Sequence, residues 1–132
     1  STKKHSVKSG DMVLDTNILI AYLDKDVRVI EAVNDWFSRH VALFISAVTY
    51  TELLALPEAS PADLAKIQDF LDYFVVIDVD KNIAETTAAL KRKYKLKFPD
   101  AAIAATAIRT RTTLVTRDRQ MRRIKEIQFL SI

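Results

Sequence analysis

Four acidic residues in separate parts of the chain are candidates for one shared reaction. Asp15, Glu52, Asp100 and Asp118 each lie beside or within a mainly apolar segment. Carboxylates that are grouped together repel one another and raise one another's pKa values unless a cation lies among them. Oxygen ligands favour hard cations, so such a group predicts Mg²⁺ or Mn²⁺ rather than zinc. An ion of this kind activates a water and neutralises charge on a phosphodiester, so the predicted reaction is phosphodiester hydrolysis.

Each acid also has a purely structural interpretation. Asp15 or Asn17 would cap a helix at a junction between a strand and a helix, and Asp118 would cap a turn. Asp100 would complement the dipole of the helix that it begins. Glu52 is harder to explain in this way, because it lies in a mainly apolar segment where an unpaired carboxylate is costly. The occurrence of all four acids favours a site.

The composition excludes several other kinds of catalytic site. The 132 residues include no cysteine, one glycine and two histidines. Without cysteine there are no disulfides, thiolate zinc sites or cysteine nucleophiles. A P-loop, a dinucleotide-binding turn and a nucleophile elbow each need several glycines, so a lone Gly10 excludes all three. Carboxylates, hydroxyls and basic side chains remain for chemistry.

The elements that must position the acids alternate along the chain. Short apolar segments predict five buried strands, at 12–14, 43–45, 74–77, 113–115 and 127–130. Helical patterns lie between them, at 27–40, 60–71, 80–93 and 99–108, with Asp26, Ser60 and Asp80 as predicted caps. This alternation predicts a three-layer α/β/α sandwich with a mainly parallel, five-stranded sheet. Because ligands bind beyond the carboxyl ends of such strands, the four acids are expected at one edge of the sheet.

The chain is predicted to form one domain, residues 11–132, after a flexible, polar and basic tail at residues 1–10. No segment is long and apolar enough for a membrane span, and the tail lacks the apolar stretch of a signal peptide. We therefore expect a cytoplasmic protein without membrane association.

Charge is distributed unevenly within this domain. Residues 11–90 contain five basic and fourteen acidic residues, whereas residues 91–132 contain twelve basic and three acidic ones. A basic segment of this kind is typical of a surface that binds a polyanion, although it would equally solvate helix faces and helix ends. The candidates for contacts with such a polyanion are Arg117, Arg119, Arg122, Lys95 and Lys97.

Four motifs resemble those of PIN-domain nucleases, in the same order and with similar spacing. They are Val13-Leu14-Asp15-Thr16-Asn17, Ser46-x-x-Thr49-x-x-Glu52, Pro99-Asp100-Ala101-Ala102 and Leu114-Val115-Thr116-Arg117-Asp118. The resemblance extends from about residue 11 to residue 132, and it is strongest to the small VapC-type toxins of toxin–antitoxin pairs. One departure is that Gln120 and Met121 stand where family members often have an acidic or amide residue and an aromatic, so a fifth metal ligand is not expected.

The resemblance implies a function as well as a fold. It implies cleavage of RNA by metal-activated water with Mg²⁺ or Mn²⁺, with the four acids as catalytic and metal-holding residues. It also implies that Asn17 and Thr116 are supporting polar residues that orient the acids. The implied partners are the RNA substrate, a small antitoxin protein and a second copy of the chain in a homodimer.

Other functions remain as alternatives. A receiver domain would need paired acids after the first strand and a lysine after the fifth, and the chain has neither. Haloacid-dehalogenase chemistry needs a second aspartate where Asn17 follows Thr16. A non-catalytic PIN-like module that binds RNA or protein is the alternative from a different class. We predict an endoribonuclease, the toxin of a toxin–antitoxin pair.

Overall fold

The computed structural model describes residues 10–132, which include the predicted domain; the predicted tail lies outside the described residues except for Gly10. A five-stranded sheet forms the centre of the fold. Its strands are β1 (Met12–Leu14), β2 (Leu43–Ser46), β3 (Val75–Ile77), β4 (Thr113–Val115) and β5 (Gln128–Leu130). All neighbouring strands are parallel, in the order β3-β2-β1-β4-β5. The predicted parallel α/β sheet is confirmed.

Six α-helices connect the strands. They are α1 (Thr16–Leu23), α2 (Val27–Ser38), α3 (Ala47–Leu54), α4 (Pro61–Leu71), α5 (Lys81–Tyr94) and α6 (Phe98–Thr110), and a 3₁₀ turn covers Met121–Arg123. The sequence pattern missed α1 and α3, which have eight residues each. Each follows a strand directly, through Asp15 or Ser46, and its apolar residues are not confined to one face. Helical periodicity therefore did not separate these helices from the strands before them.

Local hydrogen bonds explain where the predicted helices begin. Ser60 and Asp63 form a reciprocal capping box at the start of α4, with Pro61 at its first position. Asp26 accepts the backbone N–H of Val29, and Asp80 caps α5 in the same way. The caps predicted from sequence are confirmed, and helix boundaries differ from the prediction by only a few residues.

Helices cover both faces of the sheet and create two hydrophobic cores. Val13, Phe44 and Leu114 pack on one face with residues of α5 and α6. Their strand neighbours, such as Leu14 and Ile45, point to the other face and pack with residues of α1 to α4. This two-sided burial accounts for the unbroken apolar character of β1 and β2, and it makes the predicted three layers.

The prediction that all five strands are buried is wrong for the two outer strands. All three residues of β5 are exposed, and Val76 in β3 is also exposed. The strand order explains the difference, because β3 and β5 form the two edges of the sheet and each has only one neighbouring strand.

Strand order also determines where a ligand site can form. The chain proceeds from β1 outwards to β2 and β3, and then returns to place β4 on the other side of β1. The order therefore reverses between β1 and β4, and the carboxyl ends of these two strands flank a crevice. None of the helices within residues 10–132 is long and apolar enough to cross a membrane.

Candidate active site

Asp15 lies at the point where the strand order reverses. Its backbone N–H donates to the carbonyl of Val115 at 3.0 Å, and its carboxylate accepts the hydroxyl of Thr116 at 2.7 Å. The residue is only 3% exposed. Although Asp15 precedes α1, its side chain makes no capping hydrogen bond to that helix. The structural interpretation as a helix cap therefore does not account for this carboxylate.

A chain of hydroxyl groups holds Glu52, which projects from α3. The hydroxyl of Thr16 donates to Oε1 of Glu52 at 2.7 Å and lies 2.9 Å from the hydroxyl of Thr49. Because a threonine has only one hydroxyl hydrogen, Thr49 must donate to Thr16. Both threonines are buried. Both threonines lie within the sequence motifs, but the motifs alone did not predict a role for them. The three-residue spacing of Thr49 and Glu52 places both on one helix face, and this spacing could have indicated that Thr49 supports Glu52.

Asp100 and Asp118 approach the site from α6 and from the loop after β4. Asp100 is half-buried in the first turn of α6. The backbone N–H of Asp118 donates to the Thr116 hydroxyl at 3.0 Å, and its Oδ1 accepts the backbone N–H of Gln120 at 2.8 Å. One oxygen of Asp118 therefore caps a turn, as the structural interpretation of that residue predicts.

Three of the four acids share one cavity of about 350 Å³. Asp15, Glu52 and Asp100 line it together with the exposed Asn17, whereas Asp118 is not a lining residue. Thr16 and four apolar residues form the remaining wall; the apolar residues are Ile20, Ala55, Leu56 and Pro57. Thr116, the other predicted supporting residue, is fully buried beneath Asp15. The structure thus brings together residues that are as many as 85 positions apart in the chain.

Burial and repulsion between carboxylates disfavour negative charge on Asp15 and Asp100. Burial raises the pKa of Asp15 to about 6, opposed by the Thr116 hydroxyl and reinforced by the charges of Asp100 and Asp118. Burial also raises the pKa of Asp100, with further contributions from Asp118 and Glu52, whereas the ammonium of Lys97 lowers it. Asp118 thus acts electrostatically on both carboxylates, although it does not line the cavity.

The donor set suits a hard divalent cation. It consists of carboxylate oxygens whose repulsion a cation would relieve, supported by threonine hydroxyls and a nearby asparagine. Within residues 10–132, no three His, Cys, Asp or Glu side chains already form a metal-binding cluster.

The five predicted RNA-binding residues have different environments. Lys95 follows α5, Lys97 precedes α6, and Arg119 lies in the loop after β4; all three are exposed. Arg122 is partly buried, and its Nε is shielded from solvent without a hydrogen-bond partner among the described residues. The guanidinium of Arg117 already contacts other groups of the protein. Its role as an RNA contact stays a prediction.

Comparison with known families now identifies the class of protein. Residues 12–127 match the PIN domain family. The chain therefore belongs to the PIN domain family, as the four motifs predict. A search for sequence relatives among characterised proteins found no match.

Several solved structures from toxin–antitoxin complexes have the same fold. VapBC2 from Rickettsia felis, bound to a DNA fragment from the promoter, has a TM-score of 0.80 and 20% identity, over 92% of this chain and 98% of that one. A toxin–antitoxin complex from Klebsiella pneumoniae has a TM-score of 0.77 and 30% identity, over 89% and 95% of the two chains. DNA-bound VapBC from Salmonella typhimurium has a TM-score of 0.75 and 30% identity, over 92% and 97%. These similarities confirm the resemblance to VapC-type members of the family.

Proposed function

We propose that the protein is a metal-dependent endoribonuclease, using Mg²⁺ or Mn²⁺ to hydrolyse phosphodiester bonds of single-stranded or structured RNA. The observation that carries this proposal is the convergence of Asp15, Glu52 and Asp100 on one cavity in a chain of the PIN domain family. Asp118 adds its charge beside two of these acids. A site of carboxylates without His or Cys has few other ways to hydrolyse a phosphodiester.

The four acids would hold the cation, which supplies an activated water and neutralises charge on the phosphodiester. The protein's own contribution is orientation. The Thr116 hydroxyl holds one oxygen of Asp15, and the hydroxyl chain from Thr49 through Thr16 holds Glu52. Such hydrogen bonds reduce the freedom of the carboxylates before the substrate arrives.

Basic side chains next to the acids would bind the flanking phosphates of the RNA. The ammonium of Lys97 lowers the pKa of Asp100, and Lys97 directly precedes the helix that carries this acid. Lys95 and Arg119 are exposed, so an RNA phosphate could reach both side chains. The Nε of Arg122 is shielded from solvent, so a phosphate contact by Arg122 would use its other guanidinium nitrogens.

We further propose that the protein is the toxin of a toxin–antitoxin pair. The chain covers nearly the whole of related chains from a Klebsiella toxin–antitoxin complex and from Salmonella VapBC, each at 30% identity. The proposal therefore includes a small antitoxin that blocks the acidic cavity, a homodimer and action in the cytoplasm. Expression of the wild-type chain alone is expected to arrest growth, and co-expression with the antitoxin is expected to relieve the arrest.

Cleavage of labelled RNA by the purified protein tests the enzymatic proposal. Mg²⁺ or Mn²⁺ should support cleavage, EDTA should abolish it, and Asp15→Asn or Asp100→Asn should reduce it at least a hundredfold. Asp72→Asn is the matched control. Asp72 is an exposed acid just before β3, at the amino edge of the sheet and so away from the acids at the carboxyl edge. Its activity should equal that of the wild type.

A non-catalytic module that binds RNA is the second candidate. The observation that favours it is the presence of Gln120 and Met121 after Asp118, where nucleases of the family often have other residues. This candidate predicts tight RNA binding without cleavage in Mg²⁺, Mn²⁺ or any other divalent ion. That result, with Asp15→Asn protein binding RNA as tightly as the wild type, would refute the nuclease proposal.

A further inference from the structure

Arg117 lies between two residues that act directly at the candidate site. Thr116 precedes it and hydrogen-bonds Asp15, and Asp118 follows it. The Thr116 hydroxyl donates to the carboxylate of Asp15 and accepts the backbone N–H of Asp118. A shift of this short segment would therefore change the positions of two acids at once.

The guanidinium of Arg117 binds the segment to two other elements of the fold. Its Nη1 lies 2.8 Å from Oδ2 of Asp26, and its Nε donates to the backbone carbonyl of Ile132 at 2.6 Å. Asp26 begins α2, and Ile132 follows β5. The side chain thus links the loop after β4 to a helix on one side and to the end of an edge strand on the other.

Asp26 uses its two carboxylate oxygens for different tasks. Oδ1 accepts the backbone N–H of Val29 and caps α2, whereas Oδ2 accepts the guanidinium of Arg117. The hydrogen bond from Arg117 lowers the pKa of Asp26, so the carboxylate stays charged at neutral pH. The side chains of Arg117 and Asp26 are 38% and 32% exposed, and a pair so accessible to water contributes little to overall stability. The main effect of the pair is to fix the position of the loop that contains Arg117.

We propose that Arg117 and Asp26 form a positioning pair that holds the Thr116–Asp118 segment against Asp15. The inference rests on the proposed nuclease function and changes the role expected for Arg117, which was an RNA contact. The carboxylate of Asp26 and the carbonyl of Ile132 engage two of the five N–H donors of this guanidinium, so a phosphate bound there would either share Arg117 with these contacts or displace them. Positioning of this kind acts through the acids and touches no substrate.

Substitution of Asp26 distinguishes positioning from RNA binding. Asp26→Asn keeps an oxygen that can cap α2 but removes the charge that holds Arg117, and Asp26→Ser keeps a cap with a side chain too short for the pair. Arg117→Gln removes the other member. If the two residues position the acids, all three variants should lower kcat about three- to tenfold, with KM and RNA affinity within twofold of the wild type. The Arg117→Gln/Asp26→Asn double variant should be no slower than either single variant.

Binding of Mn²⁺ without RNA gives a readout that does not depend on cleavage. Calorimetry should show about a three- to tenfold weaker Mn²⁺ affinity in Arg117→Gln and Asp26→Asn, with Tm almost unchanged. Arg119→Gln is the comparison variant, because loss of an exposed RNA contact should raise KM and leave Mn²⁺ affinity unchanged.

Opposite effects of the two substitutions would overturn the inference. If Arg117 binds RNA, Arg117→Gln weakens RNA affinity, whereas Asp26→Asn frees the guanidinium, strengthens RNA affinity and leaves kcat and Mn²⁺ affinity unchanged. If the wild-type protein binds Mn²⁺ but never cleaves RNA, the nuclease proposal fails. The positioning inference is then still decided by the Mn²⁺ affinities of the variants.

Discussion

At the scale of single residues, hydroxyl groups organise the acids. Thr16 donates to Glu52 and receives a hydrogen bond from Thr49, and Thr116 donates to Asp15. A buried or half-buried carboxylate that accepts one well-placed hydroxyl keeps its other oxygen available for a cation. The site therefore depends on neutral residues as well as on its charges.

Replacement of Thr16 tests this dependence. Thr16→Val has nearly the same shape but cannot donate to Glu52, so we expect kcat to fall about tenfold. Thr16→Ser restores the hydroxyl and should recover most of the activity. The control is Thr51→Val, because the Thr51 hydroxyl, also on α3, is exposed and bonds only to the carbonyl of Ala47. Equal kcat values for the wild type and Thr16→Val would show that Glu52 needs no support.

The raised pKa of Asp15 predicts a pH-dependent cost to the metal-free fold. Burial raises this pKa from 3.8 to about 6, so between these values the folded protein binds a proton that the unfolded chain has lost. The contribution of Asp15 to the free energy of unfolding is therefore fully favourable below pH 3.8 and is lost as the pH rises through about 6. The loss amounts to about 3 kcal/mol at most.

Asp15→Asn should remove this pH dependence. In EDTA, the variant should gain stability relative to the wild type as the pH rises from 4 to 7, and urea titrations across this range measure the difference. Comparison with the wild type is essential, because Asp26, Asp63 and Glu126 have lowered pKa values and give slopes of the opposite sign. A constant difference at every pH would contradict the assignment to Asp15.

At the scale of elements, most turns of this fold form without glycine. The chain contains one glycine, yet within residues 10–132 five other residues adopt positive φ angles, namely Lys25, His40, Glu58, Lys95 and Arg111. Two of them end α5 and α6 in the left-handed conformation. A side chain in this conformation is strained by its Cβ atom, so these helix ends limit the stability of the elements.

Arg111→Gly is therefore expected to stabilise the protein. Arg111 has φ 55° and is exposed after α6, where glycine is the favoured residue. Because relief of strain exceeds the entropic cost of glycine, the free energy of unfolding should increase by about 0.5–1 kcal/mol. Thermal unfolding should then show a higher Tm, and urea unfolding a higher midpoint concentration of urea. Arg111→Ala removes the same charge but retains Cβ, so it should give no such gain. Equal stabilisation by both substitutions would assign the effect to charge.

At the scale of the whole molecule, the uneven charge distribution is expected to govern RNA affinity. The last 42 residues contain twelve basic and three acidic side chains, and they include Asp100 of the acidic cavity. Phosphates held by basic residues release counterions, so affinity should fall steeply as salt increases. If RNA binds beside the acidic cavity, the acids repel it until a cation compensates their charge, so divalent ions and RNA are expected to bind cooperatively.

The dependence of RNA affinity on salt concentration tests the expected role of this charge distribution. With Asp100→Asn protein to prevent cleavage, Arg119→Gln should reduce the slope of log affinity against log salt by about one. Arg39→Gln is the matched control, because Arg39 lies just before β2 at the opposite edge of the sheet and pairs with Asp35. An unchanged slope for Arg119→Gln would place the RNA on another surface.

Much of the architecture could be predicted from local patterns. The apolar segments of β1, β2 and β4 predicted strands because both faces of these strands are covered, and caps such as Ser60 predicted where helices begin. The helices α1 and α3 were missed because each is short and joins its strand without a loop. Exposure of β5 was also missed, because its residues resemble those of a buried strand.

The sequence by itself determined the alternation of strands and helices, the identity of the acids and the basic character of the last third of the chain, since these depend on composition and local spacing. Only the tertiary structure decided which acids share a cavity and what holds them. The bonds from Thr116 to Asp15 and from Arg117 to Asp26 join residues 101 and 91 positions apart. No local pattern encodes such contacts, because they exist only when β4 pairs with β1 rather than with another strand.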